Sequence, residues 1–212
     1  VFCPDVFAYS EELAVGVSRD FGVEVFGGFA GNETSLAQRD IENNKTILTT
    51  NYNGQVIVAP STTNPGTAEL PAVWNGIHFN ATIGKVQLAE HNTLENCIVS
   101  VGAEMNNATV KNCIFRDITN QSNRIIANAS TLKGCKFYDN TFKYTYNSYG
   151  FITLNDATLD SCYVYSNVTS TFVINANNSN IVNSYIHNNT YEGYSSSIQG
   201  IVKATNNTVI DH

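Results

Sequence analysis

The segments TVKNCIFRDI (109–118) and TLKGCKFYDN (131–140) share one pattern that decides the fold. Each has Thr, an aliphatic residue, two small or polar residues, Cys, a variable residue and then Phe. The pattern recurs, with substitutions, in TLENCIV (93–99), TLDSCYVYSN (158–167), NIVNSYIHNN (180–189) and the start of TVIDH (208–212). The copies follow one another at roughly 16–28 residues, which is the length of one repeat of a solenoid.

A repeat of this length with two or three short strands predicts one coil of a single-stranded, right-handed parallel β-helix. Neighbouring coils of such a fold lie about 4.8 Å apart, so equivalent residues stack in columns. Two apolar columns should point inward: Leu94, Val110, Leu132, Leu159 and Ile181, and Val99, Phe115, Phe137, Val164 and Ile186. The fold class is therefore all-β, and a β-helix is favoured over a sandwich or a propeller, which would not need the same small residue at one position of every unit.

Small and polar residues mark the predicted corners of the coils. One corner carries a structural ladder made of Cys97, Cys113, Cys135 and Cys162, with Ser184 and His212 at the same position. The residue before each anchor is small or polar and suits a sharp turn: Asn96, Asn112, Gly134, Ser161 and Asn183. Asn140, Asn167 and Asn189 should stack at the next corner, where asparagine tolerates the left-handed conformation and forms local hydrogen bonds.

The rest of the chain also consists of short β-like runs separated by Asn, Gly, Asp and Ser. Only residues 35–44 have the composition of a helix, so one short helical excursion is expected there. We interpret 1–212 as one β-helix domain, with first coils in 1–50, early coils in 51–92 and regular coils in 93–212. The abrupt start and end predict either a mature protein or an excised piece of a longer chain.

Three glycines in VFGGFAG (25–31) raise the question of a phosphate-binding loop. Neither of the two known glycine spacings is present, no Lys follows, and the chain lacks alternating strands and helices. The glycines therefore predict a structural turn that precedes a short capping excursion.

The composition excludes some functions. Lys and Arg number 11 against 18 Asp and Glu, for a net charge of −7, whereas nucleic-acid binding requires clustered cations. No apolar run reaches the length of about 18 residues that a transmembrane helix needs, so no transmembrane segment is predicted.

Residues 25–48 and 74–99 resemble the first coils of bacterial surface-protein β-helices, and FYDN (137–140) matches their F-x-x-N repeat. These proteins are the polymorphic outer-membrane or adhesin-like group of the pectin-lyase-like superfamily. Their companion G-G-A-I repeat is missing from this chain. The resemblance implies an extracellular or cell-surface stalk or adhesin that is mostly non-catalytic.

The cysteines predict buried, unbridged thiols. Four of the five share one column, Cys3 lies apart, and no pair has the C-x₂₋₄-C spacing of a zinc site. Stacked cysteines have parallel Cα–Cβ vectors, which is poor geometry for a disulfide. A disulfide remains the alternative, and we predict neither a metal nor a cofactor.

Catalytic residues are not predicted. Enzymes that cleave polysaccharides need clustered carboxylates. Asp117 and Asp139 nearly share a column, and Asp156 and Asp160 lie one coil on, but no basic residue recurs beside them. Solvated surface acids are the simpler interpretation, and a polysaccharide lyase or glycoside hydrolase is kept as an alternative.

Tyrosine-rich inserts at 141–150 and 190–200 both follow the asparagine corner and should project from one side. The hypothetical ligand-binding residues are Tyr144, Tyr146, Tyr149, Tyr191 and Tyr194. A structural flap over the coil is the alternative. Ten N-x-[ST] sequons are candidate N-glycosylation sites: Asn32, Asn44, Asn80, Asn107, Asn120, Asn128, Asn167, Asn177, Asn188 and Asn206.

Together these features predict an extracellular, non-catalytic surface module, an adhesin or stalk whose partners are surface glycans or proteins. A self-assembling and glycosylated filament subunit is the alternative, because open ends of a β-helix invite copies to stack end to end.

Overall fold

The computed structural model describes residues 24–49, 71–82, 84–119, 123–143 and 150–192, together with the backbone of the short strands 7–8, 198–199, 202–205 and 208–209. In this part of the chain the fold is all-β, and every strand pairing in it is parallel. No helix of the described residues is long and apolar enough to cross a bilayer.

Three long sheets and one short sheet contain the strands. The first sheet consists of Glu24–Phe26, Ala72–Asn75, Asn92–Glu95, Thr109–Lys111, Thr131–Lys133, Thr158–Asp160, Ser179–Val182 and Val202–Thr205. The second consists of Phe7–Ala8, Thr46–Thr49, Ile77–Phe79, Ile98–Val99, Ile114–Arg116, Lys136–Tyr138, Tyr163–Tyr165, Tyr185–His187 and Thr208–Val209. The third consists of Lys85–Leu88, Gly102–Asn106, Ile125–Asn128, Gly150–Asn155, Phe172–Asn177 and Ile198–Gln199. The short fourth sheet consists of Thr141–Phe142, Val168–Thr169 and Thr190–Tyr191.

The sequence repeats stack in register. Val110 pairs with Leu94 on one side and Leu132 on the other, and Phe115 lies in the same way between Val99 and Phe137. All members of the two predicted inward columns are buried, which confirms those columns. The Phe115 and Phe137 rings stack with centroids 4.6 Å apart and planes 8° apart. Parallel strands in stacked sheets are consistent with the predicted β-helix.

The first and second sheets each contain strands from all three segments of the predicted domain, 1–50, 51–92 and 93–212. The third sheet begins at Lys85 and therefore belongs to the later segments within the described residues. The three segments are therefore joined by shared sheets within the described residues.

Many corners of the repeats use a residue with positive φ, followed by a buried residue. Between the first and second sheets the positive-φ residues are those predicted for the turn: Asn96, Asn112, Gly134, Ser161 and Asn183. At the asparagine corner the asparagines stack, but the left-handed conformation lies one residue earlier than predicted. Positive φ falls on Asp117, Asp139, Ser166 and Asn188, whereas Asn140, Asn167 and Asn189 turn inward and are buried.

The predicted helical excursion at 35–44 is only a single 3-10 turn, Leu36–Gln38, followed by a second turn at 41–44. Its residues are all exposed or nearly so, and Leu36 is 48% exposed. A short segment without a buried apolar face cannot offset the cost of helix nucleation, so helix composition alone did not produce a longer helix. The Gln38 side chain closes the turn by accepting the N–H groups of Thr34 and Ser35, at 2.7 and 3.2 Å.

The glycine segment is a tight turn, as predicted. A Cβ on Gly27 would lie 2.3 Å from the carbonyl oxygen of Gly76, and Gly28 has φ of 94°. The backbone N–H groups of Ala30 and Gly31 donate to the Glu33 carboxylate at 2.6 and 2.9 Å. Because the chain's own carboxylate occupies these donors, they are not free for a phosphate.

Candidate functional site

The outer face of the second sheet is built by side-chain alternation. In KFY (136–138), YVY (163–165) and YIH (185–187) the central residue points into the core and its two neighbours point outward. Parallel pairing without a register shift then aligns these outward residues in two columns. The outward set is Lys136 and five aromatic side chains, and we call those five the aromatic face: Tyr138, Tyr163, Tyr165, Tyr185 and His187.

The first column consists of Tyr138, Tyr165 and His187. The Tyr138 and Tyr165 centroids are 5.1 Å apart with planes at 12°, and the Tyr165 and His187 centroids are 5.4 Å apart with planes at 7°. Because neighbouring rings cover each other's flat sides, the column presents ring edges, phenol hydroxyls and the imidazole to solvent. Burial, with smaller contributions from Tyr138 and Asp139, raises the pKa of Tyr165.

The second column, Tyr163 and Tyr185, has a different geometry. The two rings are 6.5 Å apart with planes at 63°, and Tyr185 also contacts His187 at 4.4 Å between centroids. Tyr163 is 48% exposed, which sets it apart from the buried aromatic residues of the core. Its ring is not stacked parallel to that of Tyr185, so part of a flat aromatic surface faces solvent.

Charged residues border this face. Arg116 and Lys136 occupy the two columns one repeat earlier, next to Tyr138 and Tyr163 respectively. Arg116 forms an ion pair with Asp117 at 2.9 Å. Asp117 and Asp139 are exposed at the adjoining corner, so the face lies between a pair of cations and a pair of carboxylates.

The tyrosine residues that the sequence suggested for binding are differently placed. Tyr144, Tyr146, Tyr149 and Tyr194 lie outside the described residues. Tyr191 is half-buried, pairs with Thr169 in the short sheet and packs against the hydrophobic core. Its placement is that of a residue in the core wall rather than that of an exposed loop tip.

The cysteine column lies at the corner between the first and second sheets. Cys97, Cys113, Cys135 and Cys162 are buried free thiols. The N–H of Cys135 donates to Sγ of Cys162 at 3.3 Å, and the N–H of Cys162 donates to Oγ of Ser184 at 3.1 Å. Each thiol therefore acts as a hydrogen-bonding corner residue as well as an apolar one.

Burial and the neighbouring thiols keep two members of this column protonated. The pKa of Cys113 is raised well above its ordinary value, mainly by burial and then by its hydrogen bond with Cys97. The pKa of Cys162 is also raised, first by its hydrogen bond with Cys135 and then by burial. Thiols in this state are poor nucleophiles and poor metal ligands. Within the described residues no group of three His, Cys, Asp or Glu side chains is placed to hold a metal ion.

The buried asparagines form a ladder of amides at the next corner. The Nδ2 group of Asn140 donates to Oδ1 of Asn167 at 2.8 Å, and Nδ2 of Asn167 donates to Oδ1 of Asn189 at 2.8 Å. The same side chains donate to carbonyls inside the coil, for example from Asn167 to Phe137 at 2.9 Å. The ladder thus satisfies backbone groups that the sharp corner would otherwise leave without partners.

Asn167 is also one of the sequon residues, and it has no exposed surface. Its amide hydrogens are donated inside the protein, so the ladder and a glycan at this position exclude each other in the folded chain. The other described sequon residues are exposed or half-buried: Asn32, Asn44, Asn80, Asn107, Asn128, Asn177 and Asn188. Asn120 lies outside the described residues, and for Asn206 no structure is described.

The four aspartates considered for catalysis are not assembled into one site. Asp117 and Asp139 lie at the asparagine corner, whereas Asp156 lies at the corner between the third and first sheets. Asp160 is on the first sheet, where it forms an ion pair with Lys133 at 3.3 Å. Their positions on different faces of the repeat separate them.

The sequence analysis missed the aromatic face. The signal was present in the alternation of tyrosine and histidine around a buried residue in YVY and YIH. Alternation predicts which residues point outward, but only the stacking register shows that they form continuous columns.

No protein-family model, curated protein or solved structure matches this chain.

Proposed function

We propose that this chain is an extracellular, non-catalytic surface module, built as a right-handed parallel β-helix, that binds glycans through the aromatic face. The observation that carries the proposal is the exposed ring of Tyr163, which lies beside Tyr185 and the stacked column on a regular sheet. Aromatic rings with polar tips combine an apolar surface with hydrogen-bonding groups, which suits the two kinds of surface on a sugar ring.

The scaffold supports the proposal as well. The sheet below the face is held in place by the inward columns, the thiol corner and the asparagine ladder, so its outward side chains are pre-positioned. Binding to such a rigid face requires little ordering of the protein, which limits the entropic cost. The resemblance of residues 25–48 and 74–99 to bacterial surface β-helices points to the same class of function.

The test is binding of the purified chain to an array of immobilised polysaccharides. Tyr163→Ala should weaken binding by about tenfold or more, the size of effect expected of an aromatic anchor. Leu36→Ala is the matched control, because Leu36 is equally exposed at 48% but lies in the turn after the glycine segment. Both variants should melt within a few degrees of the unchanged protein, since exposed side chains contribute little to stability.

Two results would contradict the proposal. Equal binding by the Tyr163→Ala and Leu36→Ala variants would remove the aromatic face as the site. Release of reducing sugar or unsaturated uronide from any polysaccharide of the panel would show an enzyme instead.

A further inference from the structure

We infer that the aromatic face binds a neutral polysaccharide with an extended, equatorially linked backbone, such as a β-1,4-linked glucan, whose chain crosses the strands with one sugar unit per repeat. This inference rests on the proposed function and specifies its ligand. It concerns the shape and charge of the ligand, which the general proposal leaves open.

The spacing of the rings carries the argument. Tyr138, Tyr165 and His187 follow one another at 5.1 and 5.4 Å between centroids. One pyranose unit of an extended, equatorially linked chain advances by nearly the same distance. Successive sugars along such a chain therefore lie beside successive side chains of the column, and alternate sugars present the same edge to it. An axially linked chain of the same sugar coils and loses this register.

The two columns contact a sugar in complementary ways. The first presents ring edges with the hydroxyls of Tyr138 and Tyr165 and the imidazole of His187, which hydrogen-bond to sugar hydroxyls. The second presents part of the Tyr163 ring, on which the apolar side of a sugar can lie. A ribbon-like chain with hydroxyls at its edges and C–H groups on its flat sides fits this pair of columns.

The charges around the face give no net attraction for an acidic polymer. The five residues of the face include no carboxylate and no Lys or Arg. Arg116 and Lys136 precede the two columns, and Asp117 and Asp139 lie at the adjoining corner, so two cations border the face against two carboxylates. Arg116 and Asp117 are paired with each other at 2.9 Å. A neutral polymer therefore suits this face at least as well as an acidic one.

The described part of the column spans four repeats. Arg116 precedes the three stacked rings of Tyr138, Tyr165 and His187 at the same position of the repeat. Affinity should therefore rise from a disaccharide to a tetrasaccharide.

The experiment compares two series of glucose oligomers by calorimetry, from the disaccharide to the hexasaccharide. One series is β-1,4-linked and the other is α-1,4-linked, so only the anomeric configuration and hence the chain shape differ. The β-linked tetrasaccharide should bind at least about tenfold more tightly than the β-linked disaccharide and than the α-linked tetrasaccharide. Tyr165→Phe, which removes one hydroxyl and keeps the stacked ring, should weaken tetrasaccharide binding roughly two- to tenfold. Leu36→Ala should leave both series unchanged.

The outcomes separate this inference from the proposed function. Three results would overturn the inference: equal affinity for the α- and β-linked series, absence of a length dependence, or stronger binding of an oligouronate. Binding of another glycan that depends on Tyr163 would still support the proposed function. Failure to bind any polysaccharide would overturn both.

Discussion

Replacing Cys162 with alanine should destabilise the protein, whereas replacing it with serine should not. Sγ of Cys162 accepts the N–H of Cys135 at 3.3 Å, and the thiol lies 3.3 Å from the carbonyl oxygen of Asp160. Alanine leaves the Cys135 N–H buried without an acceptor, which costs about 1–3 kcal/mol. Loss of the buried sulfur adds about 1 kcal/mol, because a group of that size leaves the core.

We therefore expect the free energy of unfolding to fall by about 2–4 kcal/mol for Cys162→Ala. The corresponding fall in Tm is roughly 4–16 °C for a chain of this length. For Cys162→Ser the expected change is within about 1 kcal/mol, because a hydroxyl can accept the same N–H and donate to the same carbonyls. Ser184 already does this one repeat on: its Oγ accepts the N–H of Cys162 at 3.1 Å and donates to the Val182 carbonyl at 2.8 Å.

The assay is urea and thermal unfolding followed by circular dichroism. Ser184→Ala is the matched variant and should lose as much stability as Cys162→Ala, whereas Ser184→Cys should be close to neutral. If Cys162→Ser is as damaging as Cys162→Ala, the column stabilises the corner by apolar packing and the hydrogen-bonding account is refuted.

Three further predictions concern the ladder, the thiols and the glycine turn. Asn167→Ala should cost about 3 kcal/mol or more, because it leaves the buried Asn140 N–H without its acceptor and removes the amide hydrogen bonds to the Phe137 carbonyl and the Asn189 side chain. The exposed Asn177→Ala should cost about 0.5 kcal/mol or less, and equal costs in urea unfolding would contradict the ladder. The buried thiols of the column should not react with Ellman's reagent until the protein is denatured; they are Cys97, Cys113, Cys135 and Cys162. Disulfides among them in a mass spectrum would contradict their assignment as free thiols. Backbone N–H groups that donate to the Glu33 carboxylate, that of Ala30 most of all, lower the pKa of Glu33 below the usual 4.5. The turn should therefore keep these hydrogen bonds above pH 4.5 and lose them as the pH falls through the lowered pKa. Amide NMR shifts of Ala30 and Gly31 should therefore titrate below 4.5, and Glu33→Gln should abolish the transition; a midpoint at or above 4.5 would contradict the contact.

The apolar columns and the corner between the first and second sheets were predictable from the sequence. Phe115 and Phe137 recur at one position of the repeat, and a strand places such residues on one side because its side chains alternate. Asn112 and Gly134 recur just before the cysteines, and both residue types tolerate positive φ. Local preferences repeated at a fixed spacing suffice for these features, because each repeat must match its neighbour.

Helix composition at 35–44 was misleading, since nothing in those residues reports whether an apolar face will be buried. Only a 3-10 turn forms, because the segment stays exposed. In the same way, the sequence marks Asn167 as a sequon without indicating that its side chain points into the coil.

The aromatic face also depended on the tertiary structure. In the sequence Tyr138 and Tyr165 are 27 positions apart, and Tyr165 and His187 are 22 positions apart. The ladder asparagines that hydrogen-bond to one another have the same two separations. They become stacked rings only because parallel pairing holds three successive repeats in one register. The sequence by itself determined the repeat and the inward residues, since these follow from local periodicity. The tertiary structure decided which outward side chains meet, because contacts between repeats depend on how loops of unequal length return the chain to the same register.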